Sequence, residues 1–431
     1  MSFIKIFSIV VTLSLCFFQS CSSATTENSS STRKDLSSND TVSAYSVEES
    51  LENSYSQVVS QPQKGTLVFD ISYSTRGYLD SKSANFRGVI SQFGRLLNVK
   101  DFFLYGNTVQ PANDFMNLLN TGNFTWSTGS DINSMLRFML EKVRSTNDVV
   151  CLISDGIMSG TNEQIRHNSE FNIQNKEVLM NQIKNSIETL DSTYSALIVR
   201  YTAPFQGTYY AYNNRNINLN CNRPYFAIIL GKWEKIKWIE QDLIQGKTNE
   251  KDESYYKYSD LIMLADTKSY KKCFFTHKYG INHRNGQYSI QRNDSVVFSC
   301  SIKDLPPYMQ TESYFDKNFQ LLKQRRGQSE FALIPKDKYQ FYIDRQRQKV
   351  IISFTNVAIS TYISNNLLQF KLKYSLPEWV GNFSDEDDAG IATNAVKKNQ
   401  TFNLKYLVNG FSELNGSENV ILTEMNFYFK K

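Results

Sequence analysis

Residues 66–74 of the chain read TLVFDISYS, and this stretch decides how the first half of the protein folds. Its first four residues form a short apolar run, which predicts a buried strand. The strand ends at Asp70, and Ser72 and Ser74 follow it at alternating positions. A buried strand that ends in a carboxylate and two hydroxyls predicts a polar cluster at the carboxyl edge of a sheet, where open α/β sheets bind their ligands.

Strand and helix patterns alternate from this stretch to about residue 243. Short apolar runs such as Val149–Ile153 predict buried strands, and apolar spacing such as that of Ala84–Leu97 predicts amphipathic helices. This alternation predicts an α/β domain with a doubly wound, mainly parallel sheet, assigned to residues 64–250. The other predicted strands are Phe102–Tyr105, Tyr194–Tyr201 and Tyr225–Leu230, and the other predicted helices are Asp131–Val143, Glu177–Leu190 and Trp233–Leu243.

Two more segments bring oxygen-bearing side chains toward the same edge. The residues from Thr128 to Asp131 open a predicted helix, and Asp155-Gly156 directly follows the strand VVCLI. Hard divalent cations prefer hydroxyl and carboxylate oxygens, and Mg²⁺ takes six of them. The candidate metal ligands are Asp70, Ser72, Ser74, Ser130 and Asp155. The alternative interpretation is that these residues only cap a strand-to-helix turn.

This pattern resembles the metal-ion-dependent adhesion site of the von Willebrand factor A family. That family carries Asp-x-Ser-x-Ser after its first strand, a threonine in a Gly-Thr-Asn/Asp-Ile-like turn, and an aspartate after its fourth strand. Four positions match: Asp70, Ser72, Ser74 and Asp155. At the threonine position the chain has Ser130, which keeps the hydroxyl, and Thr128 is the alternative ligand. The resemblance covers residues 64–243.

The resemblance implies a bound divalent cation, with Mg²⁺ the first choice and Ca²⁺ or Mn²⁺ as alternatives. It also implies a protein partner that offers a carboxylate to a vacant position on the ion. The function expected from it is adhesion or complex assembly rather than catalysis. In agreement, the chain has no Gly-x-Ser-x-Gly elbow and only three histidines, which argues against a serine hydrolase.

The N-terminal residues have the pattern of a secretory signal. A start with the single cation Lys5 precedes an apolar run, Ile9–Phe18, that is too short to span a bilayer. Cys21 after Ser20 resembles the lipid-modified cysteine of a bacterial lipoprotein signal, so residues 1–21 are predicted to be the signal. The alternative is ordinary signal peptidase cleavage near Ala24. We therefore expect export across the inner membrane and a location in the cell envelope, as an outer-membrane lipoprotein.

A polar stretch, residues 22–63, follows the signal and contains few apolar side chains. It cannot bury enough surface to offset the entropy of ordering it, which predicts a flexible tether. Residues 251–431 are rich in short β patterns and are predicted to form a second, sandwich-like domain. Its predicted strands are Ser295–Cys300, Lys338–Ile343, Lys349–Phe354, Leu367–Tyr374, Thr401–Leu407 and Val420–Phe429.

Charge and cysteine usage limit the remaining classes. The chain has 47 Lys and Arg against 42 Asp and Glu, a small and dispersed excess that argues against a nucleic-acid binder. One disulfide is expected outside the cytoplasm, with Cys273–Cys300 as the first candidate and Cys221 as the other partner. The acidic run 385–388 is predicted to be a solvated loop, with weak calcium binding as its alternative.

The sequence thus predicts metal-dependent binding of a protein or other acidic ligand at the cell envelope. Two alternatives stay open. One is a structural envelope subunit whose metal site is degenerate, and the other, ranked lower, is a metal-dependent envelope hydrolase.

Overall fold

Buried apolar strands build a seven-stranded mixed sheet around the strand formed by the opening stretch. Its strands are β1 (Gly65–Asp70), β2 (Val99–Tyr105), β3 (Val109–Pro111), β4 (Val150–Ser154), β5 (Tyr194–Tyr210), β6 (Asn216–Lys232) and β7 (Asp260–Ala265), in the spatial order β3-β2-β1-β4-β6-β5-β7. The computed structural model describes residues 59–430 except 129–131, 147–148, 158–170, 192, 212–215, 250–254, 266–274, 280, 285–286, 291–294, 304, 326, 356–357, 365 and 413–420. The predicted signal and most of the predicted tether lie outside the described residues.

The sheet is only partly parallel. β1 pairs in parallel with β2 on one side and with β4 on the other. β6 is antiparallel to both β4 and β5, so β5 runs in the same direction as β1, whereas β3 and β7 run against their neighbours. The predicted α/β class is confirmed, but three of the described strands, β3, β6 and β7, oppose the other four.

Helices flank this sheet and bury their apolar faces against it. They are α1 (Tyr73–Asp80), α2 (Ala84–Leu96), α3 (Phe115–Thr121), α4 (Ile132–Thr146), α5 (Phe171–Ile187) and α6 (Trp233–Thr248). In α2, the residues Phe86, Val89, Ile90 and Phe93 have the spacing of one helical face and are all buried. No helix among the residues that the structure describes is long and apolar enough to cross a membrane.

The β5–β6 hairpin extends well beyond the sheet. The two strands pair in continuous register from Tyr194↔Lys232 to Tyr210↔Asn216, yet only the part of β5 up to Arg200 pairs with β7. We call the projecting part, residues 201–210 and 216–225, the arm. Because β5 runs parallel to β1, the arm projects past the carboxyl edge of the sheet, and it packs on α1.

The C-terminal region adds further β structure. β8 (Phe275–Tyr279), β11 (Ser295–Ser301), β14 (Gln340–Asp344) and β15 (Lys349–Thr355) form a four-stranded sheet. A six-stranded sheet contains β9 (Ile281–Arg284), β10 (Gln287–Ile290), β12 (Phe319–Arg325), β13 (Ala332–Leu333), β16 (Asn366–Lys373) and β19 (Ile421–Lys430). The ring of Phe298 in the first sheet contacts the rings of Phe370 and Phe427 in the second, so a shared aromatic core joins the two sheets.

One predicted C-terminal strand is wrong over most of its length. Of Thr401–Leu407, only Thr401–Phe402 is a strand, β18, which pairs with β17 (Ser384–Asp385). Asn403 then takes a left-handed backbone (φ 60°), which ends the strand and begins a helix. The short helices of this region are α7 (Glu312–Asn318), α8 (Glu378–Asn382), α9 (Ala395–Lys398) and α10 (Leu404–Phe411).

The predicted boundary at residue 250 stays a prediction. Gln57–Lys431 forms one compact unit, and β7, which follows that boundary in the chain, completes the seven-stranded sheet.

Candidate metal centre

Asp70 and Asp155 meet where two adjacent parallel strands end. Phe69 pairs with Ile153, so the residues after them leave the carboxyl edge of the sheet side by side. From β1 the chain order moves to β2 on one side and to β4 on the other, which makes this edge a topological switch point. Both carboxylates are buried, Asp70 being 2% exposed and Asp155 3% exposed.

Hydrogen bonds occupy both oxygens of Asp70. The Ser72 N–H donates to Asp70 Oδ1 over 2.8 Å, and the Ser154 hydroxyl donates to Asp70 Oδ2 over 2.8 Å. Burial raises the pKa of Asp70 above its usual value, and these hydrogen bonds oppose that shift. Asp70 is therefore held in one orientation by its own turn and by the neighbouring strand.

Three hydroxyls cluster beside this carboxylate at the start of α1. Ser72 Oγ lies 2.9 Å from Ser74 Oγ and 3.1 Å from Thr75 Oγ1. Ser72 is the N-terminal cap position of α1, but its side chain makes no capping hydrogen bond. The Ser72 side chain therefore does not cap α1, whereas Asp70 Oδ1 accepts an N–H of the turn, so the alternative of a capped strand-to-helix turn stays open.

Asp155 carries one unsatisfied oxygen. Its Oδ1 accepts a hydrogen bond from the Ile157 N–H at 3.0 Å, whereas its buried Oδ2 has no hydrogen-bond partner among the described residues. The pKa of Asp155 is raised to about 7, first by burial and second by the negative charge of Asp70, while the nearby Ser74 hydroxyl and the Ile157 N–H oppose the rise. A buried carboxylate oxygen without a partner costs roughly 1–3 kcal/mol or more, so a positive charge there would be favourable.

The segment predicted to supply the ligand Ser130 approaches the same turn. Ser127 forms an isolated parallel bridge with Ser72, and its carbonyl oxygen accepts the Tyr73 N–H over 3.0 Å. Thr128, the alternative ligand, is exposed. Ser130 lies outside the described residues, so its assignment as a ligand stays a prediction.

The donor set fits a hard divalent cation. Two hydroxyls, Ser72 and Ser74, and the free oxygen of Asp155 all carry oxygen lone pairs of the kind that Mg²⁺ and Ca²⁺ bind. No group of three or more His, Cys, Asp or Glu residues lies close together in the described part of the chain. A cation here would therefore have hydroxyls rather than a third acidic residue among its ligands.

Two residues of this cluster escaped the sequence prediction. Ser154 was seen only as the end of its strand, although its hydroxyl bridges Asp70 Oδ2 and the Gly156 N–H. Thr75 is fully buried beside Ser72. A hydroxyl residue directly before Asp155, and another three residues after Ser72, were the available sequence signals.

The arm adds a buried polar network next to this edge. Tyr78 of α1 donates a hydrogen bond from its hydroxyl to the carbonyl oxygen of Pro224 in the arm. Arg223, only 1% exposed, lies over the ring of Tyr209 and donates to the carbonyl oxygens of Lys398 and Gln400. The arm thus connects α1 to the C-terminal region.

The acidic run 385–388 is not simply solvated. Asp388 is 1% exposed and accepts a hydrogen bond from the Tyr209 hydroxyl over 2.6 Å. Lys397 Nζ lies 3.3 Å from Asp385 Oδ2 and forms an ion pair with that carboxylate. The predicted solvated loop is therefore wrong for these two residues, and the run is tied to the arm and to α9.

The cysteine predictions are tested only in part. Cys151 is a buried free thiol, as expected for a core strand, and Cys221 on the arm is also a free thiol. Cys273 lies outside the described residues, so its pairing with Cys300 stays a prediction.

Comparison of the chain with protein-family models gives no match, and comparison with curated proteins gives none either.

Gly156→Ala is expected to destabilise the protein by about 1–3 kcal/mol. Gly156 has φ 70°, and an added Cβ would lie 2.7 Å from the Phe226 ring. Chemical denaturation measures the change. The matched control is Gly94→Ala in α2, where an added Cβ meets nothing within 4 Å and helix propensity should leave stability unchanged or higher. Equal stability of the two variants would contradict the assigned backbone of the Asp155 turn.

Proposed function

We propose that the protein binds a protein or other acidic ligand through a divalent cation held by Ser72, Ser74 and Asp155, with Asp70 behind them and Ser130 as the predicted fifth participant. The cation is Mg²⁺ first, with Ca²⁺ or Mn²⁺ as alternatives. In this proposal the first domain is von Willebrand A-like, the C-terminal domain is sandwich-like, and the protein is not an enzyme.

The single observation that carries the proposal is the unpartnered oxygen of Asp155. It is buried at the switch point of the sheet, and the hydroxyl pair of Ser72 and Ser74 stands at the same edge. A divalent cation would supply the missing partner and bind the two hydroxyl oxygens. Because few direct ligands are anionic, the ion would stay electrophilic enough to accept a carboxylate from a partner.

The cellular setting of the proposal comes from the N-terminal pattern. Export by residues 1–21 and lipidation at Cys21 would place the folded part at the cell envelope, with residues 22–63 as a tether to the membrane. A single acidic-ligand site on such a tether suits adhesion or complex assembly. Nucleic acid is not among the proposed partners.

Mn²⁺ tests both the ion site and its open position. The full chain should bind Mn²⁺ in a titration followed by electron paramagnetic resonance. The bound ion should then shorten the proton relaxation time of the acetate methyl group, because acetate can enter the vacant position. Mn²⁺ held by DTPA, whose eight donor atoms leave no site for a further ligand, gives the reference for an ion with no such position.

The matched variant is Ser72→Ala/Ser74→Ala, which removes the two hydroxyls but leaves both carboxylates. We expect Mn²⁺ affinity to fall by about tenfold or more, since two direct ligands are lost. If Mn²⁺ binds equally to the variant, the assigned ligands are wrong. If Mn²⁺ bound to the wild-type protein relaxes acetate no better than Mn²⁺–DTPA does, ligand binding through the ion is wrong.

One observation favours the structural alternative. Both oxygens of Asp70 are satisfied without any ion, and Ser72 bonds to neighbouring hydroxyls. Such a site would serve as a fixed turn in a structural envelope subunit. In that case Mn²⁺ would fail to bind at millimolar concentration, and the same titration separates the two functions.

A further inference from the structure

A polar cleft lies in the C-terminal region, away from the candidate metal centre. Its volume is about 520 Å³, in the range of small-molecule sites. The walls come from the end of α7, the chain from Tyr374 to Pro377 after β16, helix α8, and one face of α10. Residues far apart in the sequence therefore build one concave surface.

Asn409 of α10 lines the cleft and has an unsatisfied acceptor. The side chain is 7% exposed, and its Oδ1 is buried without a hydrogen-bond partner among the described residues. Leaving such an acceptor unpaired is costly, and a donor on a bound molecule would remove that cost. A ligand with an N–H group therefore fits this wall.

Two ammonium groups also line the cleft. Lys317 pairs with Glu378 at 3.5 Å, but both side chains are more than half exposed, so this ion pair contributes little. Lys405 forms no ion pair with any described residue. With two lysines and one glutamate, the lining carries a net positive charge that favours a carboxylate.

Apolar side chains form part of the remaining lining, beside the polar Ser375 and Asn382. Val380 is 1% exposed, Tyr374 is 2% exposed, and the half-buried Leu376 also lines the cleft. Apolar side chains beside a few placed polar groups are typical of small-ligand sites. The cleft therefore offers contacts for a molecule that has an apolar body, an N–H donor and a carboxylate.

We propose that this cleft binds the C-terminal end of a peptide, with the terminal carboxylate toward Lys317 and Lys405, the terminal amide N–H toward Asn409, and an apolar last side chain against Val380 and Leu376. An N-acyl amino acid carries the same chemistry. This site is separate from the proposed cation site, and its occupation needs no metal.

The probes are acetyl-Ala-Leu and its C-terminal amide, titrated into the full chain in EDTA and followed by saturation-transfer NMR and calorimetry. Amidation removes the carboxylate alone, and we expect it to weaken binding by about tenfold. N-acetyl-leucine should compete with the peptide, because the donor and the carboxylate lie in the terminal residue. Equal binding of acid and amide, or no saturable binding at about 10 mM peptide, would overturn the proposal.

Two variants identify the wall residues. Lys405→Ala should weaken binding by about fivefold, whereas Lys349→Ala, an exposed lysine on β15 outside the cleft, should leave it unchanged. Asn409→Leu should weaken binding by a similar factor without lowering Tm, because it removes an unpaired buried oxygen. A loss of Tm in Asn409→Leu with unchanged peptide affinity would assign Asn409 a structural role and overturn its place in the site.

Discussion

Asp155→Asn is expected to abolish the stabilisation of the protein by Mg²⁺ and, in EDTA at pH 8, to make the protein more stable than wild type. The asparagine keeps an acceptor for the Ile157 N–H but removes the negative charge that faces Asp70. Wild-type protein at a hundredfold excess of Mg²⁺ over its Kd should gain about 2.7 kcal/mol. Thermal melts of the full chain, with EDTA and then with millimolar metal, measure both effects.

Asp155→Asn is thus expected to remove the stabilisation by Mg²⁺ but to raise the stability of the metal-free protein. This combination distinguishes a metal ligand from a residue with a structural role. A residue with a purely structural role would lower stability when replaced, with or without metal. Asp191→Asn serves as the control, since Asp191 is an exposed carboxylate that bonds within its own turn. If Asp155→Asn destabilises the metal-free protein as well, the carboxylate is part of the scaffold and the proposed ion site loses its main support.

The metal-free protein should also lose stability as the pH rises from about 4 to about 7. The pKa of Asp155 is about 7 in the folded protein, first because the group is buried and second because Asp70 is near. The unfolded chain has the ordinary value of about 3.9. The folded state therefore holds a proton that the unfolded state has released, and the contribution is present below pH 4 and lost as pH passes through 7.

Each pH unit in this window removes up to about 1.4 kcal/mol for one proton. The measurement is the free energy of unfolding in EDTA at a series of pH values, compared with the same series for Asp155→Asn. The difference between the two curves isolates the Asp70–Asp155 pair from the other carboxylates, whose effects are common to both proteins. A difference that stays constant from pH 4 to pH 7 would contradict the raised pKa. Saturating Mg²⁺ should flatten this slope, because the ion binds the deprotonated carboxylate and neither the folded nor the unfolded state then holds the Asp155 proton between pH 4 and pH 7.

The local pattern of apolar residues was sufficient to predict the strands that carry the candidate metal centre. The runs that end at Asp70 and Ser154 are fully buried and continuous in apolar character, which is typical of central strands. Their order in the chain, with helices between them, places their ends at one edge. The sequence alone therefore points to Asp70, Ser72, Ser74 and Asp155, and the structure brings all four together.

Local pattern failed where backbone or hairpin geometry decided the outcome. The strand predicted over Thr401–Leu407 ends at Phe402 in the structure, and a helix follows it. The helical spacing of Leu404, Leu407, Val408 and Phe411 was already present in the sequence. The arm was missed although its strands alternate between more and less buried residues, because Pro204 and Gly207 interrupt the strand pattern of β5 in the sequence. Only the hairpin register reveals that residues 201 and 225 are partners.

The sequence by itself determined which chemical groups stand at the carboxyl edge, because those groups directly follow strands that their own apolar residues define. The tertiary structure decided which oxygens of these groups have a hydrogen-bond partner. Ser154 satisfies Asp70 across 84 positions of the chain, while Asp155 Oδ2 is buried with no described partner. A hydrogen bond between distant residues depends on which strands lie side by side, and that order is set by the packing of the whole sheet rather than by any local pattern.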